Sequence, residues 1–240
     1  MCSSKSKAGP SAQHFFADQT IAAIFDISGG EVGNGVLEYL DYQMISQNPK
    51  PFFGYSDLTT VLGALFAKTE IPLCLFPLFS LARSGWKKQS EDFENSLLKG
   101  TNDLYSFSPL FLKGEEMQGP VAGGNMHCLL KLAGTPYFPS VKGHILFLEG
   151  LSTTPGAAGA MLVQLRQMGV FKEIKGMLLG QFTKMENEKM SPTIEELVLD
   201  ATKAESFPIA KTSQIGHSAN TRALWLKKQM YLKSGLPYLG

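Results

Sequence analysis

The sequence predicts an α/β protein in which strands and helices alternate along the chain. Residues 20–28 and 143–150 are mostly apolar and have glycine at or just after their ends, as expected of strands buried on both faces. In residues 57–69 and 156–171 the apolar positions recur at helical spacing. Because parallel strands need crossover connections, which are usually helices, this alternation favours parallel sheets.

The other elements continue this order, and a polar stretch divides them. Further helices are predicted at 36–45 and 193–202, and further strands at 50–55, 174–182 and the start of 207–220. The stretch from 82 to 119 is polar and lacks sustained periodicity over much of its length. We therefore predict an N-terminal domain at 1–82, a linker at 83–118 and a C-terminal domain at 119–240.

The composition is that of a globular protein with room for a large core. The chain has 240 residues, of which 44% are hydrophobic and 18% are charged. The net charge is +1 and the 22 basic residues are scattered, so nucleic acid is not an expected partner. The apolar run at 71–79 is too short to span a bilayer, and no signal-peptide pattern precedes it. We expect no membrane attachment.

Neither a metal nor a cofactor is predicted. The three cysteines, Cys2, Cys74 and Cys128, are far apart and lack CxxC spacing, which argues against disulfides and zinc and fits a reducing, cytoplasmic setting. No HExxH motif or acidic cluster is present. The glycines of residues 28–35 have the order G-G-x-x-G-x-G, which is not the dinucleotide-binding signature.

Ser56 stands between a predicted strand and a predicted helix. On such a turn its hydroxyl would be exposed at the sheet edge, and the Asp57 amide would point at a developing oxyanion. This is the arrangement of a nucleophile elbow, although Leu58 replaces the second glycine of G-x-S-x-G. Serine is also a common helix N-cap. The pattern alone leaves both interpretations open.

A serine nucleophile needs a base and an acid. The chain offers His14, His127, His144 and His217. His14 lies in the polar lead-in and His144 opens a strand, whereas His217 follows an apolar strand and a glycine, where loops build sites. His127, in "GGNMHC", stays a second candidate. Glu149 closes the strand at 143–150 and could orient an imidazole. Each of these residues by itself is more often a plain surface residue, and their shared position at strand ends is the better evidence for a site.

Together these segments resemble the LD-carboxypeptidase family of serine peptidases, which includes the microcin self-immunity proteins. The resemblance covers residues 16–220, in family order. It is carried by "ISGGEVGNGVLEYLDY", "NPKPFFGYSDLTTVLGALFAKT", "VAGGNMHCLLKLAGTPYFP", "GHILFLEG", "GMLLGQFTKME" and "PIAKTSQIGH".

The resemblance implies a role for each matching residue. Ser56 falls on the family's nucleophile, Glu149 on its acid and His217 on its base. The amides of Asp57 and of Gly29, or its neighbour Gly30, fall on the oxyanion hole. It also implies a Rossmann-like N-terminal domain and a C-terminal domain with a barrel-like sheet, in a cytoplasmic homodimer.

The substrate implied is a small peptide. Family members remove a terminal D-alanine from muropeptide tetrapeptides during cell-wall recycling. The self-immunity branch instead hydrolyses a peptide-nucleotide or an aminoacyl sulfamoyl-adenylate, and Trp86 and Tyr105 could stack on its base or simply pack.

Two departures from the family pattern lead to further expectations. The strand and helix that open the family's N-terminal domain are expected to be missing before residue 20, which would leave that domain incomplete with an unpaired sheet edge. An inactive, truncated remnant is therefore a third hypothesis. Ser218 replaces the glycine that usually follows the histidine, so the loop that aims His217 could differ.

Overall fold

The computed structural model describes residues 8–83 and 85–240, and it confirms the predicted α/β fold. The first sheet has four strands in the order β1-β2-β3-β9. Strands β1, β2 and β3 run parallel, and β9 pairs antiparallel with β3. The strands are β1 (Ile24–Phe25), β2 (Phe52–Gly54), β3 (Leu73–Leu75) and β9 (Leu224–Leu226).

Helices surround this sheet as expected of a Rossmann-like half. The α-helices are α1 (Ala8–Ala17), α2 (Tyr42–Gln47), α3 (Thr59–Lys68) and α4 (Trp86–Leu98), and 3₁₀ helices span Gly33–Tyr39, Ser56–Leu58 and Leu78–Ala82. Most of α3 is buried, from Thr59 to Phe66. This helix is therefore a central element of the core rather than a surface helix.

The second sheet curls into half a barrel, as the resemblance implied. Its six strands have the order β10-β5-β6-β7-β8-β4, with β5 to β8 parallel and the two outer strands antiparallel. They are β4 (Leu110–Lys113), β5 (Glu116–Asn125), β6 (Ile145–Gly150), β7 (Gly176–Phe182), β8 (Ile209–Lys211) and β10 (Gln229–Lys233). The helices are α5 (Met126–Leu130), α6 (Pro155–Gln167), α7 (Val170–Glu173), α8 (Thr183–Asn187) and α9 (Ile194–Ala201).

The predicted linker at 83–118 contains the 13-residue helix α4. Its buried side chains include Gln89, Asp92 and Ser96, which are polar. Gln89 Nε2 donates to the carbonyl of Thr221 at 2.6 Å, and Asp92 Oδ2 accepts from Arg222 at 2.6 Å. Because hydrogen-bonded polar side chains occupy part of its buried face, α4 carries few of the apolar residues by which a helix is recognised in sequence.

The helix predicted at 36–45 is divided into two elements. The chain forms a 3₁₀ helix to Tyr39, and α2 begins only at Tyr42. Asp41 caps α2, because its side chain accepts the Met44 N–H at 2.9 Å. An N-cap residue has non-helical backbone angles, so Asp41 interrupts what the apolar spacing presents as one helix.

Strand β9 connects the two halves of the molecule. It lies in the predicted C-terminal domain by sequence, yet it pairs with β3 of the first sheet. Buried residues of both sheets, among them Leu73 of β3 and Phe147 of β6, also belong to one apolar cluster. Within the described ranges, no helix has the combination of length and apolarity that crossing a bilayer requires.

Candidate active site

Ser56 occupies a sharp turn between strand β2 and helix α3. Tyr55 is extended, whereas Ser56 has φ +59°, in the left-handed region that non-glycine residues rarely adopt. The N-cap positions of the following 3₁₀ and α-helices are Tyr55 and Leu58. The alternative interpretation of Ser56 as an N-cap is therefore wrong. The strained turn instead exposes Ser56 partly to solvent.

The contact between Gly54 and Leu58 explains the departure from G-x-S-x-G. A side chain at Gly54 would place its Cβ 3.0 Å from Leu58 Cβ and 3.2 Å from Leu58 Cδ1. The first glycine is therefore needed so that the start of the helix can approach the strand. Leu58 fills this space and is buried, so a second glycine is not needed to close the turn.

Glu149 and His217 form a buried pair. Glu149, near the end of β6, is 0% exposed, and His217 lies in the loop after β8. The distance from His217 Nδ1 to Glu149 Oε2 is 2.8 Å. The two atoms are in contact, but not with the alignment of a directed hydrogen bond. Such a carboxylate can orient an imidazole and stabilise its protonated form.

The loop that carries His217 is held from several sides. The Gly216 N–H donates to Thr221 Oγ1 at 3.0 Å, and Arg83 Nη1 donates to the His217 carbonyl at 2.8 Å. Gly216 itself has no room for a side chain, because a Cβ there would lie 2.3 Å from Gln181 Oε1. These contacts fix the backbone on both sides of the imidazole.

Asn125 is a site residue that sequence reasoning missed. It is the last residue of β5 and lies in register with Glu149 on β6. Its Nδ2 donates to Glu149 Oε1 at 2.8 Å, while its Oδ1 accepts the Cys128 N–H at 3.2 Å. The signal available in the sequence is an asparagine directly after the paired glycines of "GGNMHC", at the end of a strand.

Glycines in β5 bring the two halves of the site together. A Cβ on Gly124 would lie 2.7 Å from the Thr59 side chain, at the start of α3. The neighbouring Asn125 N–H donates to Thr59 Oγ1 at 3.0 Å. The turn at Ser56 is thereby held close to the end of β5, where Asn125 contacts Glu149.

The structure brings the three predicted side chains to one region. The rings of Tyr55 and His217 pack edge to face, with centroids 5.0 Å apart. Ser56 follows Tyr55 directly, so the turn at Ser56 lies beside the Glu149–His217 pair. Of the other histidines, His14 is exposed on α1 and His144 packs against Phe66, away from this pair.

A cleft of about 430 Å³ opens at Ser56. His127, exposed on α5, lies in its wall, so this second candidate faces the same cleft without joining the pair. Other lining residues include Gly30, Glu31, Asn125, Lys131 and Met161. The cleft therefore offers charged and apolar surface next to the serine.

Asp57 is anchored by its side chain. Oδ2 accepts the Gly33 N–H at 2.7 Å, and Oδ1 accepts from Lys131 Nζ at 2.8 Å. Burial alone lowers the pKa of Lys131, but the hydrogen bond and charge of Asp57 outweigh it, and the pKa is raised. Gly30, next to Gly29, lies in the cleft wall. The oxyanion role of the Asp57 and Gly29 amides stays a prediction.

Trp86 and Tyr105 do not belong to the described cleft wall. Tyr105 is buried and packs near Trp225, with ring centroids 5.9 Å apart, whereas Trp86 is exposed. The packing interpretation therefore fits Tyr105. In residues 8–83 and 85–240, no group of three His, Cys, Asp or Glu side chains is arranged to hold a metal ion.

Comparisons with known proteins identify both halves of the chain. Residues 4–75 match the model of the LD-carboxypeptidase N-terminal domain, and residues 118–232 match that of the C-terminal domain. A Treponema pallidum protein named as a carboxypeptidase is 29% identical over 227 residues, covering 85% of this chain and 67% of its own. The murein tetrapeptide carboxypeptidase of Pseudomonas aeruginosa is 25% identical, covering 85% of this chain and 69% of its own.

A solved structure shares the fold. The microcin C7 self-immunity protein of Escherichia coli, in complex with glutamyl sulfamoyl guanosine, superposes with a TM-score of 0.85 at 18% identity. The superposition covers 96% of this chain and 78% of that one.

Proposed function

Because the chain belongs to the LD-carboxypeptidase family, we propose that it is a serine peptidase that removes the terminal D-alanine from muropeptide tetrapeptides. The observation that carries the proposal is the buried Glu149–His217 pair beside the strained Ser56 turn. A relative named murein tetrapeptide carboxypeptidase supports the substrate class. The cleft at Ser56 supplies space for a peptide end.

The proposed first step forms an acyl-enzyme. His217 Nε2 takes the proton of Ser56 Oγ as the oxygen attacks the carbonyl of the bond to D-alanine. Glu149 holds the imidazole and stabilises its positive charge. The amides of Asp57 and Gly29 donate to the oxyanion of the tetrahedral intermediate.

The proposed second step returns the enzyme to its starting state. The imidazolium of His217 gives its proton to the amine of D-alanine as the peptide bond breaks. Water then attacks the ester on Ser56 and loses its proton to His217. That proton returns to Ser56 Oγ as the shortened peptide leaves, so protons balance over the cycle.

The substrate branch is tested by offering both substrate types to the same enzyme. We expect D-alanine release from a tetrapeptide ending in L-lysyl-D-alanine or L-diaminopimelyl-D-alanine. Hydrolysis of an aminoacyl sulfamoyl-adenosine, without D-alanine release, would assign the chain to the self-immunity branch instead.

The nucleophile is tested with Ser56→Ala. Turnover is expected to fall by several orders of magnitude with the fold retained. Ser234→Ala, which changes an exposed serine after β10, is the matched control and should keep full activity. Undiminished D-alanine release by Ser56→Ala would remove Ser56 from the mechanism. A serine-directed phosphonate should label the unchanged chain at Ser56, and failure to label would favour an inactive remnant.

The proposal extends to the setting and assembly of the enzyme. The thiols of Cys74 and Cys128 are free and buried, which is compatible with a reducing, cytoplasmic location. We expect a homodimer, as the family resemblance implies. Light scattering on the purified chain measures its mass directly, and a monomer at working concentration would contradict this expectation.

A further inference from the structure

The phenol of Tyr55 lies against the buried pair from the side of the nucleophile turn. Tyr55 is only 3% exposed, and its ring meets the His217 ring at 65° with centroids 5.0 Å apart. Among the described residues, its hydroxyl has no aligned hydrogen-bond partner, and neither does Glu149 Oε2. Two polar atoms buried around the same His217 ring are thus incompletely satisfied.

The Glu149 carboxylate requires hydrogen-bond donors at both of its oxygens, and the Tyr55 hydroxyl can supply one. A fully buried carboxylate is costly unless donors surround both of its oxygens. Asn125 satisfies Oε1 at 2.8 Å. Oε2 has the imidazole of His217 within 2.8 Å but keeps further acceptor capacity. Among the described residues, the buried hydroxyl of Tyr55 is a donor that has no other aligned acceptor.

The electrostatics of Tyr55 agree with this geometry. Its pKa is raised well above the usual tyrosine value, first because the hydroxyl is buried and second because it faces the negative charge of Glu149, toward which it can donate. Tyr55 therefore stays protonated and remains a donor at any working pH.

We propose that Tyr55 is a positioning residue whose hydroxyl donates to Glu149 while its ring packs on His217. This inference rests on the proposed function of the same site. Tyr55 and Asn125 then hold the carboxylate from its two oxygens. Because Tyr55 is also the residue before Ser56, one backbone segment sets the positions of both nucleophile and base.

The arrangement has a chemical consequence for the pair. A donor on Glu149 spreads its negative charge, which weakens its tendency to take the imidazole proton. The proton then stays on His217, where it is needed for the leaving amine. The same donor keeps the carboxylate from rotating away when the imidazole is neutral.

Tyr55→Phe tests the role of the hydroxyl, because it keeps the ring that packs on His217. We expect kcat for D-alanine release to fall about ten- to hundredfold, the range of a hydrogen bond to a charged group, with KM changed less than twofold. Tyr238→Phe removes a half-buried hydroxyl next to Phe107 and should leave both constants unchanged.

Two readouts do not depend on activity. If the hydroxyl donates to Glu149, Tyr55→Phe lowers the unfolding midpoint in urea, and the ¹⁵N and ¹H resonances of the His217 ring shift in labelled protein. An unchanged His217 resonance together with an equal or higher midpoint would overturn the proposal. If the unmodified chain releases no D-alanine at all, the proposed function fails, and these two readouts still decide the role of Tyr55.

Discussion

Nδ1 of His217 lies 2.8 Å from Oε2 of Glu149, and both side chains are buried. A carboxylate at 0% exposure is retained only where the surrounding groups compensate for its lost hydration. Here those groups are His217, Asn125 and, by our proposal, Tyr55. The pair therefore has the burial and the partners required for a base whose orientation must be maintained.

Removing the negative charge of Glu149 tests the Glu149–His217 pair directly. Glu149→Gln keeps the shape of the side chain, and its Oε1 can still accept from Asn125. We expect kcat to fall roughly 10³- to 10⁴-fold, because the imidazolium loses its counter-charge and the required tautomer. D-alanine release measures the effect, and circular dichroism checks the fold. A loss below tenfold would show that Glu149 does not serve the base.

Removing Asn125 should affect stability as well as activity. Asn125→Ala leaves Glu149 Oε1 without its donor and the Cys128 N–H without its cap. Loss of a buried hydrogen bond to a charge costs about 1–3 kcal/mol, measured by urea unfolding. Asn187→Ala, at an exposed asparagine of α8, is the control and should change the unfolding free energy little. Equal stabilities of the two variants would contradict the assigned contacts.

The backbone of Ser56 predicts an order of stability between two inactive variants. Its φ of +59° is unfavourable for any residue with a Cβ but not for glycine. We expect Ser56→Gly to exceed Ser56→Ala in unfolding free energy by roughly 1 kcal/mol, after allowing for the greater flexibility of unfolded glycine. Denaturant titration measures both. If Ser56→Ala is the more stable variant, the turn is not strained as described.

The Lys131–Asp57 ion pair predicts a pH effect on stability. The pKa of Lys131 is raised in the folded chain, so its contribution is complete below the ordinary lysine pKa of about 10.4 and is lost as pH rises through the folded value. The difference in unfolding free energy between wild type and Lys131→Met should therefore shrink above about pH 10.4.

Lys203→Met is the matched control for this experiment. Lys203 forms an exposed pair with Asp200, with 75% and 78% of the two side chains accessible, and pairs of this kind contribute little. Its difference from wild type should stay small at every pH. A Lys131→Met difference that grows with pH would contradict the assignment.

Several candidate site residues could be predicted from the sequence because they lie at or shortly after the ends of strands. The change from a short apolar strand to a helical pattern predicts the turn at Ser56, and the structure has this turn. Glu149 lies near the end of β6 and His217 in the loop after β8, and the structure brings them into contact. The alternation of strand-like and helix-like segments along the chain also predicts the α/β class, which is confirmed.

Other features were outside the reach of a single sequence. Helix α4 buries polar residues through hydrogen bonds to distant backbone groups, and no local pattern encodes such partners. Strand β9 is three residues long and joins a sheet whose other strands lie far earlier in the chain. The position of Asn125 opposite Glu149 depends on the register of β5 with β6.

Local patterns of hydrophobicity and turn residues by themselves determined several of the strands and helices and the turn at Ser56, because these depend on neighbours along the chain. Only the tertiary structure decided which side chains surround Glu149. Strand register and the close approach allowed by Gly124 bring Asn125 and His217 to it, and Tyr55 to His217, from three separate segments. Such contacts are set by the packing of whole sheets against one another, which no short stretch of sequence specifies.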